Sequence, residues 1–228
     1  MTLYGPPAAS PIQLAHRPQV LSWDAAGSWP QERLRPYRQE IAASFAGVEG
    51  DNLSFRLSCG LGPTASLEAA GDLDNLLVPV IDALGRSRFV GAWGAKDARA
   101  ASTLAVGPPT RIDPATLAAW HHVAVHTKAS AGTEAWKQEI AAQLVACTPI
   151  PPSDAVAMVI AFTVGAGRAW PNLWKPAIDA TGQILGVPGP RRWHPRDCRI
   201  VELGLSVEVD PSLGWDILLR YWWQARNW

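Results

Sequence analysis

The chain has 228 residues, 48% of them apolar and 18% charged, which excludes a disordered polyelectrolyte and allows one large core or two small ones. Twenty Lys and Arg balance twenty Asp and Glu, so the chain is not a globally basic nucleic-acid binder, although a local patch can hide inside a neutral average. Cys59, Cys147 and Cys198 are far apart and form no CxxC pair, which argues against structural zinc and for reduced thiols in a cytoplasmic setting.

The opening MTLYGPPAASPIQ has no basic stretch leading into an apolar run, so no signal peptide is expected there. No apolar stretch approaches the roughly 18 residues of a membrane span, so no membrane partner is expected. Residues Trp29–Ala46 have helical spacing, and Leu53–Leu61 reads as a strand bounded by turn residues. Asp72–Leu84 opens on a possible Asp cap and continues with Leu76, Leu77, Val80, Ile81 and Leu84 on one helical face. Strands are expected at Arg88–Trp93 and Ser102–Val106, then a proline-rich linker at Gly107–Ala115. His122 and His126 fall in another predicted strand, where a core or surface role is the plainer reading than a metal ligand. Beyond it come a helix at Gly132–Ala146, a strand at Val156–Val164, a helix at Pro171–Ile184 and a strand at Arg199–Val209. A last apolar strand, Trp215–Trp223, has no clear match earlier in the chain, and Trp222 and Trp223 must point to opposite faces of it.

These elements repeat. Arg38-Gln39-Glu40-Ile41-Ala42-Ala43 recurs as Lys137-Gln138-Glu139-Ile140-Ala141-Ala142 at an offset of 99. Asn75-Leu76 and Pro79-Val80-Ile81-Asp82-Ala83 recur at an offset of 97 as Asn172-Leu173 and Pro176-Ala177-Ile178-Asp179-Ala180. Trp93 with Asp97 recurs as Trp193 with Asp197 at an offset of 100. Matches in constant order with a slowly drifting offset point to an internal duplication, with halves at residues 1–110 and 111–228. Asp82 and Asp179, present in both halves, are expected to serve the fold.

The chemistry concentrates in Gly71-Asp72-Leu73-Asp74-Asn75-Leu76, followed by the helix ending Asp82-Ala83-Leu84 and by Trp93 and Asp97. Asp72 and Asp74 can face one point if the backbone is extended, and Asp97 from a neighbouring strand is the candidate third carboxylate. Such oxygen donors suit magnesium. The plainer alternative is that Asp72 caps the helix and Asp74 stabilises its N-terminal dipole.

The run Asp-x-Asp-Asn-Leu, a helix ending Asp-Ala-Leu, then an aromatic and an Asp resembles the signature of the RusA family of Holliday-junction resolvases, over roughly residues 18–107 and again 118–210. The resemblance implies an α+β fold of two tandem RusA-like repeats, each a small sheet packed with helices, together forming a pseudo-dimer. It implies an Mg²⁺-dependent (or Mn²⁺-dependent) endonuclease acting on branched or four-way DNA, with Asp72, Asp74 and Asp97 as metal ligands. The signature's lysine, four residues after its second Asp, is Val78 in the first half and Lys175 in the second, so Lys175 is the candidate catalytic lysine. Ala169 and Pro171 replace Asp72 and Asp74 in the second half, where Asp197 persists. The second half instead gathers Arg168, Lys175, Arg191, Arg192, Arg196 and Arg199, a candidate phosphate-binding set that gives affinity without sequence choice. The reading from a different class is a non-catalytic branched-DNA-binding or assembly protein that kept the fold.

Overall fold

The computed structural model describes residues 2–20, 29–63, 65–66, 71–99 and 101–227. It is a mixed α+β protein. In chain order the elements are β1 (Leu3–Pro7), β2 (Ile12–Gln13), α1 (Trp29–Ser44), β3 (Leu53–Gly60), α2 (Leu73–Leu84), β4 (Phe89–Asp97), β5 (Thr103–Gly107) and β6 (Pro109–Ile112). They continue with β7 (His121–Thr127), α3 (Glu134–Leu144), β8 (Ala155–Val164), α4 (Trp174–Asp179), α5 (Gly182–Leu185), β9 (Ile200–Val209) and β10 (Ile217–Arg226). No helix among the described residues is long and apolar enough to cross a membrane.

Eight strands form one sheet in the order β2-β5-β3-β4-β9-β8-β10-β7. A helical crossover returns the chain parallel to the strand it left. Accordingly β3 and β4, joined through α2, are parallel, and so are β8 and β9, joined through α4 and α5. The two parallel pairs meet back to back through the antiparallel β4–β9 contact. Followed inward from either edge, the sheet therefore meets the same kinds of strand. Both parallel ladders slip by one residue at their first pair, after Leu53 in one and after Val156 in the other. At the centre Trp93 lies opposite Gly204, flanked by the pairs Gly91–Ser206 and Ala95–Glu202. A Cβ on Gly204 would fall 2.3 Å from the Trp93 ring, so only glycine fits beneath that indole.

Strand alternation sends side chains to two faces. Met158, Ile160 and Phe162 of β8 and Leu219, Tyr221 and Trp223 of β10 join the large core, with Tyr37 and Ile41 of α1, Leu77 and Ile81 of α2, and Trp136 and Ile140 of α3. Val159, Ala161 and Trp222 point the other way, into a smaller cluster with Leu3, Leu117 and Trp93. Trp222 and Trp223 thus divide between the faces as the alternation requires.

Local structure departs from expectation in three places. The segment expected as a linker contains β6, which pairs with β1. The helix expected over Pro171–Ile184 is broken into a 3₁₀ turn at Trp170–Leu173 followed by α4 and α5. The break lies where the buried Thr181 hydroxyl donates to the Ile178 carbonyl at 2.7 Å, taking an acceptor that helical continuation would use. Finally, β10 lies beside β8 as β5 lies beside β3, so the last strand does have a positional counterpart.

Matching side chains hold matching corners. The Glu40 carboxylate accepts the backbone N–H groups of Ala15 and His16, and Glu139 accepts those of Lys128 and Ala129. Arg38 pairs with Asp82 at 3.5 Å and Lys137 with Asp179 at 3.8 Å, giving both carboxylates structural partners. Arg88 donates to the carbonyls of Gly50, Leu84 and Val48. Arg199 donates to those of Asp154, Leu185 and Pro151, and is 6% exposed.

Candidate metal centre

The site lies where the carboxyl end of β4 meets the amino end of β9, under the first turn of α2. Asp72 is the N-terminal cap residue of α2 in an extended conformation (φ −84°, ψ 134°), yet its side chain makes no capping hydrogen bond. Its carboxylate instead accepts from the Asn75 side-chain amide at 3.2 Å and from the Lys175 ammonium at 3.4 Å. Asp74, in the first turn of α2, is 2% exposed. The third member is Asp197, 8% exposed, in the 3₁₀ turn that leads into β9. One ligand oxygen from each of Asp72, Asp74 and Asp197 lies within 4.8 Å of the others.

Lys175 reaches this cluster from α4. Its ammonium pairs directly with Asp197, lies 3.4 Å from Asp72, and also meets Asp179 one helical turn along at 3.5 Å. Lys96, at the end of β4, is buried and donates to the Cys198 carbonyl. Burial pushes the Asp74 carboxyl up to about 7; Asp197 and Asp72 add to the shift and Lys175 opposes it. Burial disfavours the charge on Lys175, but the carboxylates of Asp74, Asp197 and Asp72 outweigh it and hold the ammonium above its ordinary range. Burial holds Lys96 below its ordinary range.

Sequence reasoning named Asp72 and Asp74, and the structure brings them together. It does not bring Asp97 to them. Asp97 ends β4, and its carboxylate accepts the Arg99 backbone N–H at 2.9 Å and pairs with the Arg99 side chain at 3.5 Å. The third carboxylate comes instead from the other half of the chain, as Asp197. Of the candidate phosphate-binding set, Arg191, Arg192 and Arg196 are exposed. Arg192 stacks on Trp193 at 4.5 Å. Arg168 lies 4.7 Å over the Trp215 ring and donates to the Trp215 carbonyl at 2.5 Å. Arg199 does not belong to this set, because its guanidinium is buried against three carbonyl groups and cannot meet a phosphate. Lys175 points into the carboxylate cluster, and Asn75 and Lys96 were missed.

The cluster fits a hard divalent cation. Oxygens about 2.1 Å from an ion stand at most about 4.2 Å apart, so slight closure of the three carboxylates suffices. Burial beside two other carboxylates disfavours the charged form of Asp74 even with Lys175 and Lys96 close by, and a divalent ion would favour it. No protein-family model matches this chain, and no curated protein matches it.

Proposed function

We propose that the chain is a duplicated RusA-like protein, folded as a pseudo-dimer, that cuts branched or four-way DNA with Mg²⁺ or Mn²⁺ held by Asp72, Asp74 and Asp197. The observation that carries this reading is the convergence of Asp72 and Asp74 from the first half with Asp197 and Lys175 from the second. The duplication is supported by the strand order, the shared one-residue slip and the paired roles of Arg88 with Arg199 and Glu40 with Glu139. Such an ion orients a water and offsets charge on the attacked phosphodiester. Around it, Asp74 is the buried anchor, Asp72 the more open ligand, and Asn75 fixes the Asp72 carboxylate. Exposed Arg191, Arg192 and Arg196 hold the DNA backbone.

The test is incubation of labelled four-way junctions with and without Mg²⁺. Metal-dependent cleavage, abolished in Asp74→Asn with junction binding intact, is the expected result. Equal cleavage by both proteins, or none by the wild type, overturns the enzyme reading. A second reading, that of a non-catalytic branched-DNA-binding protein, is favoured by one observation: Lys175 already pairs with two of the three carboxylates. It predicts junction binding that ignores Mg²⁺ and no product.

A further inference from the structure

We infer that Lys175 is a tethered cation that fills the carboxylate cluster while no metal is bound and withdraws to Asp179 when a divalent ion enters. This rests on the metal-site reading above. Three carboxylates gathered in a poorly solvated corner repel one another, and the fold needs a positive charge among them. Lys96 contributes one from the end of β4, and Lys175 contributes a second from a flexible side chain, pairing with Asp197 and lying 3.4 Å from Asp72. Asp179 stands one turn along the same helix, 3.5 Å from the same ammonium. Withdrawal therefore requires only rotation about the flexible side-chain bonds, with no movement of α4. The Lys175 side chain is 41% exposed, so its aliphatic stem is not locked by packing on every side. Asp179's other cation, Lys137, is 3.8 Å away and leaves the carboxylate able to accept a closer partner.

Among the described residues the first half offers no such device. Val78 stands where Lys175 does, and Asp82, the partner of Asp179 in the repeat, is taken by Arg38 and Arg86. The lysine thus belongs to the working cluster alone. Its position makes metal entry a competition between two cations for the same oxygens, and Asp179 sets how readily the first one leaves.

The test is calorimetric titration of Mn²⁺ into the full chain, for wild type, Lys175→Met and Asp179→Asn, with thermal melts in the presence and absence of Mn²⁺. Lys175→Met is expected to bind Mn²⁺ about tenfold tighter, far less than an unscreened charge would give because the lysine is partly solvated. Its melting temperature should fall without metal and recover with it, whereas a merely structural ion pair would lower both melts equally. Asp179→Asn, which touches no metal ligand's oxygen, should bind Mn²⁺ several-fold more weakly because the lysine has lost its retreat. Binding by Lys175→Met that equals or falls below that of wild type overturns the inference and leaves the metal site standing. Binding by Lys175→Met alone supports it, and binding by none of the three proteins overturns both. If Lys175→Met does not fold, Asp179→Asn decides, with unchanged affinity counting against withdrawal.

Discussion

Asp74 shows how one buried side chain sets a pH dependence. Its carboxyl is pushed up to about 7 in the folded chain, against an ordinary value of 3.8. Between those values the folded state holds a proton that the unfolded state has released, so stability falls as pH rises through this window and levels off above it. Asp197 is also raised by burial, with Lys175 opposing, and acts in the same direction. Metal-free Asp74→Asn is therefore expected to melt above wild type at alkaline pH and to converge with it near pH 4, and Mn²⁺ should restore only the wild type. Melting curves over a pH series check this; a difference between the two proteins that does not change with pH removes Asp74 as a charged buried group. Asp72 and Asp74 were legible in the sequence because two carboxylates at i and i+2 before an apolar helix form a local pattern. That Asp72 does not cap the helix was not legible, because capping depends on where Lys175 and Asn75 pull the carboxylate.

At the scale of elements, the strands and helices were largely legible from apolar period, while their correspondence was not. Pairing Trp93 and Asp97 with Trp193 and Asp197 looks convincing in one dimension, yet Trp93 sits opposite Gly204 and Asp197 precedes β9 as Arg86 precedes β4. The signal was present: Arg88-Phe89-Val90 matches Arg199-Ile200-Val201, each arginine tying its turn to the start of the neighbouring strand. Charge counting places Arg199 with the candidate phosphate-binding residues because composition does not report burial. Arg199→Ala should cost about 3 kcal/mol or more, since each buried carbonyl left without a donor costs about 1–3 kcal/mol. Junction binding by the folded fraction should keep its salt dependence. Arg191→Ala with Arg192→Ala should do the reverse, leaving the melting temperature near that of wild type and flattening the salt slope of binding as fewer counterions are released. Urea unfolding and a salt series of junction affinities separate the two cases; an unchanged slope for the double variant reduces those arginines to a solvated face.

Across the whole molecule, the two ends of the central strand pair are unequal. One carries Asp72, Asp74 and Asp197; the other presents Ala169, Pro171 and Arg86, whose guanidinium donates to Asn172 at 2.6 Å. On the proposed nuclease reading only the first of these ends cuts, and a cruciform-bearing supercoiled plasmid should first yield nicked circles, with linear DNA only after a second encounter. Linear DNA as the first product at limiting protein would sink this expectation. The junction between the halves is itself demanding: Gly204→Ala drives a methyl group into the Trp93 ring and should cost about 1–3 kcal/mol, as overpacking does, measurable by chemical unfolding. The carboxylate cluster draws on residues 72–74 and 197, with Lys175 between them in sequence, all on one polypeptide. A site shared between two separate subunits falls apart on dilution, whereas this one is held at a fixed effective concentration by its own chain. Its metal affinity should therefore be the same at nanomolar as at micromolar protein.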